Sequence, residues 1–279
     1  FGMKPSRART PAGPALGKIF AGFGVEHVLT KSVRDSAIAL DATHGLDPGA
    51  PYGLPEPKGS FAASVDQDPG TLRIAYSLQP MMGSEIHPDC RIAVEQTSKL
   101  LCDLGHDVEE AKRFPIDFES FRYAYVVLTA AATSLAVKQF EVAIGQRAHW
   151  PDFEPHTWAL KLIGDRLRSI DLAEAEADLF VAHRLIAQWM DQHQYDVILT
   201  PTLSAPPLKI GAHHDRRRDA NLMQLIRLTP FLPLSLLKER IRQSSADAFS
   251  WMSITPVFNV TGQPAMNVPV HWNNEGLPI

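Results

Sequence analysis

A chain of 279 residues with 45% hydrophobic and 21% charged side chains has the composition of a globular protein. Its length allows about three quarters of the unfolded surface to be buried. Its 27 basic and 31 acidic side chains leave a formal charge of −4, no electrostatic reason to expect nucleic acid or an anionic membrane as partner.

No apolar run approaches the roughly 20 residues needed to span a bilayer. Phe1-Gly2-Met3-Lys4-Pro5 does not read as a signal peptide. The chain opens on Phe1 and stops at Pro278-Ile279 in an apolar, extended stretch, so both ends are expected to be cuts rather than natural termini. In chain order, Ser32 followed by Asp35 predicts a capped helix start, with Val33, Ala37 and Leu40 as a narrow apolar face and Gly45 as the stop. Prolines 48, 51, 55 and 57 exclude regular structure over 47–57. Leu72 to Ser77 reads as a strand. His87-Pro88-Asp89 then opens a helix whose apolar positions are Cys90, Val94, Thr97, Leu101 and Leu104, with Gly105 at its stop and a second strand from Asp107 to Glu110. Strand, helix and strand in this order predict a βαβ unit with parallel pairing. Cys90 and Cys102 fall on that helix, too far apart to bond, so a reducing cytoplasm is expected.

The stretch 111–194 reads as mainly helical. Phe118, Phe121, Tyr125, Leu128, Ala132 and Leu135 mark one face of a long helix, and Asp171 with Glu174 reads as a capping box before Leu179, Ala182, Ile186 and Trp189. Asp196 to Thr200, closed by Pro201, suits a buried strand, and Met266 to Val270 suits a last one. The pattern is α/β with a helical segment between sheet strands.

Motifs that carry chemistry by themselves are missing from the sequence: no G-x-S-x-G elbow, H-E-x-x-H, phosphate-binding loop or C-x-x-C occurs. His213-His214-Asp215 has metal-ligand residue types, but Arg216, Arg217 and Arg218 beside it repel a cation, so a solvated loop is expected. His87 and Cys90 read as a helix cap and a core thiol rather than a thiol–imidazole pair. Lys4-Pro5-Ser6 reads as an exposed turn.

Four segments together carry a resemblance. Phe1 to Thr10 (FGMKPSRART) is similar to G-L-K-P-S/T-x-G-R, and Val25 to Asp35 (VEHVLTKSVRD) to G-P-L/M-T/A-R-S/T-V-x-D. Asp196 to Thr202 (DVILTPT) matches D-V/L-L/I-L-T-P-T/A, and Thr255 to Ala265 (TPVFNVTGQPA) is similar to F/Y-N-x-T/S-G-x-P-A/S. In this order they resemble the middle and C-terminal part of the amidase signature family. The resemblance implies a mixed sheet flanked by helices on both sides, incomplete in this chain, as one partial domain over 1–279. It implies hydrolysis of a small-molecule carboxamide through a serine acyl-enzyme, without cofactor or metal.

The family's chemistry needs a nucleophilic serine, a second serine in a cis peptide bond, a lysine base whose pKa burial lowers, and an oxyanion site of backbone N–H groups. The family keeps these upstream of its G-L-K-P segment, in a Gly/Ser-dense stretch. Here Gly is 17 of 279 and no Gly-Gly-Ser cluster occurs, so no residue is expected to receive a catalytic role. Lys4 matches the lysine of G-L-K-P, which is not the family's base. Met81, Met82, Tyr123 and Tyr125 are the candidates for lining a substrate pocket. The bland reading puts the tyrosines in a core and the methionines on a surface loop. A small-molecule amide is the expected partner, with no nucleic acid bound directly and no membrane, and a homodimer is left open. Two other readings stand beside this one: a non-catalytic binding module reusing the fold, and the amide-releasing subunit of a multi-subunit amidotransferase.

Overall fold

A computed structural model describes the chain except for residues 15, 18, 84, 112, 212–238 and 240–248. The His213-His214-Asp215 segment lies outside the described residues. The first elements are β1 (Gly2–Lys4), α1 (Val33–Thr43), α2 (Phe61–Ser64), β2 (Arg73–Tyr76), α3 (Pro88–Asp103) and β3 (Asp107–Glu110). They are followed by α4 (Phe118–Ile144), α5 (Pro155–Gly164), α6 (Ser169–His193), β4 (Val197–Leu199), α7 (Thr255–Thr261) and β5 (Ala265–Asn267). By internal contacts the chain divides into two units, one of Phe1–Ile116, Ala182–Pro207 and Ser250–Ile279, the other of Asp117–Val181 and Leu208–Phe249.

In the first unit the βαβ expectation holds. β2 pairs in parallel with β3 on one side and β4 on the other, Ile74 facing both Val108 and Val197. Only a strand covered from both sides is so apolar, and Ile74 and Ala75 are fully buried. Ala75 packs with Ala111 and Tyr195, against Trp189 and Met190. α3 crosses between β2 and β3 and buries Cys90, Ala93 and Val94, while Leu104 at its end is exposed. β1 and β5 make a separate antiparallel pair, so parallel and antiparallel pairing occupy different sheets. β5 stops before Pro269, which has no N–H to offer a ladder.

α1 starts as its sequence dictates: the Ser32 hydroxyl accepts from the Asp35 N–H at 3.0 Å. Ala37 and Leu40 are buried, and Leu40 alone contributes about 1.5–3 kcal/mol by leaving water. Val33 is half exposed, so the face is narrower than its spacing suggests. Asp41, close to that face, caps α2 instead, accepting from Ser60 Oγ at 2.6 Å and from the N–H groups of Phe61 and Ala62 at 2.7 and 3.0 Å.

In the second unit α4 runs from an Asp117 cap to Gly145, which takes the left-handed conformation (φ 71°) that ends helices. Its buried positions are Phe121, Ala124, Val127, Leu128, Ala130, Ser134 and Val137. Leu135, assigned to the apolar face from its spacing, is exposed. Nearby, α5 packs closely on α4: a Cβ on Gly164 would stand 2.1 Å from the Ala130 carbonyl oxygen and 2.8 Å from Ser134 Cβ. Small residues, not large apolar ones, mark that seam. α4 is also long and apolar enough to cross a membrane, which corrects the expectation that no segment reaches that limit. α6 begins three residues earlier than its capping signal suggested, at Ser169 rather than after an Asp171 cap. Asp171 is the third helical residue, its carboxylate accepting from the Arg168 N–H at 2.9 Å and pairing with the Arg168 guanidinium at 3.0 Å.

Candidate functional site

The four segments that carry the sequence pattern are scattered along the chain and meet around β1. The Phe1 amino group donates to the Thr30 carbonyl at 3.0 Å, and the Thr30 N–H donates back to the Phe1 carbonyl at 3.1 Å. Gly2 bridges Leu29 in the same segment. β5 pairs with β1 as well, Gly2 opposite Asn267 and Lys4 opposite Ala265. Asn267, just past the fourth segment, donates from Nδ2 to the Thr202 hydroxyl at 3.0 Å, which brings in the third.

Arg7 fastens this junction. Its N–H donates to the Gly262 carbonyl at 2.9 Å, and its guanidinium donates to the carbonyls of Asn259, at 3.4 Å, and Val260. These are the last carbonyls of α7, where the helix dipole is negative and a cation is favoured. The guanidinium also lies 4.9 Å from the centroid of the buried Phe23 ring. Gly262 has φ 71°, and a Cβ there would come within 3.0 Å of the Arg7 side chain, so the turn calls for glycine twice over.

Lys4 and His183 each lie close enough to Arg7 to feel its charge. Burial, with Arg7 next to it, lowers the Lys4 ammonium to about 8. Burial and then Arg7 also push His183 down, against an opposing interaction with the Val260 backbone. Lys4 Nζ donates to the Pro5 carbonyl at 3.0 Å. The sequence placed Lys4 in an exposed turn; it lies instead on β1, half-buried, because the strand pairing fixes it there.

The pocket-lining candidates divide between the units. Met81 and Met82 belong to the first and are fully buried, so the surface-loop reading of them is wrong. Tyr125 belongs to the second, stacked on Phe121 at 6.3 Å and edge-on to Phe249 at 5.7 Å, with burial raising its phenol to about 12. It is a core aromatic. Tyr123 lies in a cleft of about 180 Å³ with Glu119, Ser120, Asp171, Glu174 and Asp178. Among the described residues no cluster has the make-up of a metal site.

Two side-chain pairs that involve serine are announced by no motif in the sequence. His27 Nε2 lies 2.9 Å from Ser36 Oγ, the contact a nucleophile requires. Ser36 is sealed in the interior at 1% exposure, so the pair ties the segment before α1 onto that helix. Ser204 and Ser253 hydrogen-bond to one another and are equally buried. Ser204 is further fixed through its carbonyl, which accepts from the His87 N–H at 2.8 Å. His87 itself caps α3 by accepting from the Asp89 N–H at 3.2 Å, and Cys90 is a core thiol raised to about 11 by burial, as the cap-and-core reading has it.

Known proteins share both the sequence and this architecture. A 6-aminohexanoate-cyclic-dimer hydrolase from Pseudomonas sp. (strain NK87) is 25% identical over 281 aligned positions, covering 100% of this chain and 54% of the relative. The chain therefore spans about half the length of the curated relatives it matches. The solved structure of a 6-aminohexanoate cyclic dimer hydrolase complexed with substrate superposes with a TM-score of 0.78 at 25% identity, over 99% of this chain and 54% of that one. A bacterial aryl acylamidase of the amidase signature enzymes shares the fold, with a TM-score of 0.72 at 18% identity, over 99% of this chain and 52% of its own. The family model described as Amidase matches residues 1–279. The chain belongs to the Amidase family.

Proposed function

We propose that this chain is part of an amide hydrolase that acts on a small-molecule carboxamide through a serine acyl-enzyme, with the nucleophilic serine, the bridging serine and the lysine base supplied from outside these 279 residues. The observation that carries the reading is the meeting of all four family-like segments around β1. That junction is a scaffold of strand pairs and helix-end contacts. Its one lowered lysine, Lys4, donates to a backbone carbonyl, whereas a base must meet the hydroxyl it deprotonates. Ser36, Ser204 and Ser253, the hydroxyls of the two pairs, are buried at 1% exposure or less. The relatives named for 6-aminohexanoate cyclic dimer make a small linear or cyclic amide the class to try first. The free thiols Cys90 and Cys102 suit a reducing cytoplasm.

In this reading Met81, Met82, Tyr123 and Tyr125 belong to the part of the protein that shapes the substrate pocket, and Tyr123 has a cleft beside it. Translating the coding region directly upstream of Phe1 tests the proposal. A Gly/Ser-rich stretch with a Gly-Gly-Ser cluster, and a lysine further upstream, is expected. An in-frame stop followed by a fresh initiation site would contradict it and favour a non-catalytic module.

A further inference from the structure

β5 is an edge strand: it pairs with β1 on one side and with no described strand on the other. The register sets Met3 beside Met266 on one face and Gly2, flanked by Leu29 and Asn267, on the other. Both faces carry exposed apolar side chains. Met266 is 68% exposed on the first, and Leu29 is 88% exposed on the second. Val268, Val270 and Trp272 follow β5 at alternate positions and are exposed as well, Trp272 at 60%. Two three-residue strands with water on both faces are marginal by themselves. Exposed apolar residues gathered in this way mark a surface that something covers. An edge that faces water is normally guarded by charge. β3 is such an edge, with Asp107, Glu109 and Glu110 among its four residues. The stretch 265–270 holds no charged residue, and Pro269 is its one guard.

We propose that polypeptide outside these 279 residues lays an extended segment along the free edge of β5, its alternate apolar side chains against Met266 and Val268. The inference rests on the reading that a longer amide hydrolase supplies the catalytic serines and lysine. The relatives favour that occupant over a second copy. The superposition on the solved hydrolase covers 99% of this chain but 54% of that one, so nearly as much polypeptide again accompanies the shared half there. An added strand suits the surface chemically. It gives the outer backbone groups of β5 partners and takes the apolar side chains out of water.

Thiol accessibility is the test. In a Cys102→Ser background, where the remaining native thiol Cys90 is buried, Met266→Cys and Val268→Cys each place one thiol on this face. Maleimide should modify either position rapidly in the 279-residue chain. It should react roughly tenfold or more slowly in the longer polypeptide that carries the segment preceding Phe1. Lys99→Cys, on the exposed side of α3, should react equally fast in both. Hydrogen exchange of 265–270 in the two unsubstituted proteins should show the same difference, which frees the result from any effect of the substitutions. Equal rates at 266 and 268 in both proteins overturn the docking and leave the hydrolase reading standing. Slowed rates in a longer polypeptide without a Gly-Gly-Ser cluster uphold the docking and defeat that reading. Slowing that sets in within the 279-residue chain as its concentration rises assigns the face to a second copy and overturns the proposal. An in-frame stop directly before Phe1 removes the occupant and overturns both.

Discussion

Cys90 and Cys102 share α3 yet live in different chemistry. Twelve residues of helix separate them by roughly 18 Å along the axis, three times the spacing of a disulfide. Cys90 is buried and its thiol is raised to about 11, while Cys102 is exposed. A thiolate reagent should therefore modify one cysteine in the native chain, Cys102, and both after unfolding without reductant. Two unreactive cysteines in the unfolded, non-reduced chain would contradict the helix. His183 offers a second test at this scale. Its pKa is lowered on folding, so the unfolded chain takes up the proton first as pH falls through the ordinary value of 6.5. Stability that His183 contributes above that pH is thus lost on acidification, down to its lower folded value. Urea midpoints should fall between about pH 7.5 and pH 5.5, and His183→Gln should flatten that slope. Asp41, Asp117 and Asp165 are lowered carboxylates and lose their contributions only in stronger acid. An unchanged slope in His183→Gln would show that burial and Arg7 do not lower His183 on folding. The cap role of His87 was legible in the sequence because a residue before Pro-Asp has few other local options. The burial of Met81 and Met82 was not, since irregular backbone gives no period from which to read a face.

At the scale of elements, the contact between α4 and α5 rests on the absence of a side chain. Gly164 lets the backbone of α5 approach the Ala130 carbonyl, and beside it the Ser134 hydroxyl donates to Asp165 at 2.5 Å. Gly164→Ala should force the helices apart and cost about 1–3 kcal/mol, outweighing the helix-propensity gain of up to ~1 kcal/mol. Gly59→Ala, at a position with no atom within 4 Å of the new methyl group, should change stability by less than about 0.5 kcal/mol. Chemical denaturation of the two variants decides it, and equal stability would deny the close approach. Helix starts were readable because caps are local: Ser32 and Asp35 behave as their spacing predicts. The contact of α4 with Gly164 was not, because Ala130 and Ser134 at that seam carry no hydrophobic period. The start of α6 moved for a related reason. Asp171 fits a cap position or the third helical one equally well by sequence, and the Arg168 pairing selects the third.

Over the whole molecule, the parallel β3-β2-β4 sheet was visible from strand, helix and strand in order, and from the apolar run closed by Pro201, although β4 is not the buried strand that run suggested: Val197 is exposed and Ile198 and Leu199 are only partly buried. The antiparallel pairing of β1 with β5 was not, since it joins the two ends of the sequence and neither strand exceeds three residues. Family-like segments marked both partners without saying that they touch. The division into two units likewise left no signal in composition. What the chain does as a hydrolase turns on whether any serine within it can be activated. A serine needs an adjacent base and a preorganised oxyanion site. The direct measurement is fluorophosphonate labelling of the purified 279-residue chain, with turnover of a small amide followed in the same sample and a cooperative thermal transition confirming that it is folded. The account predicts a folded chain that is neither labelled nor active. A folded chain that takes up the label on a serine and hydrolyses the amide would contradict it.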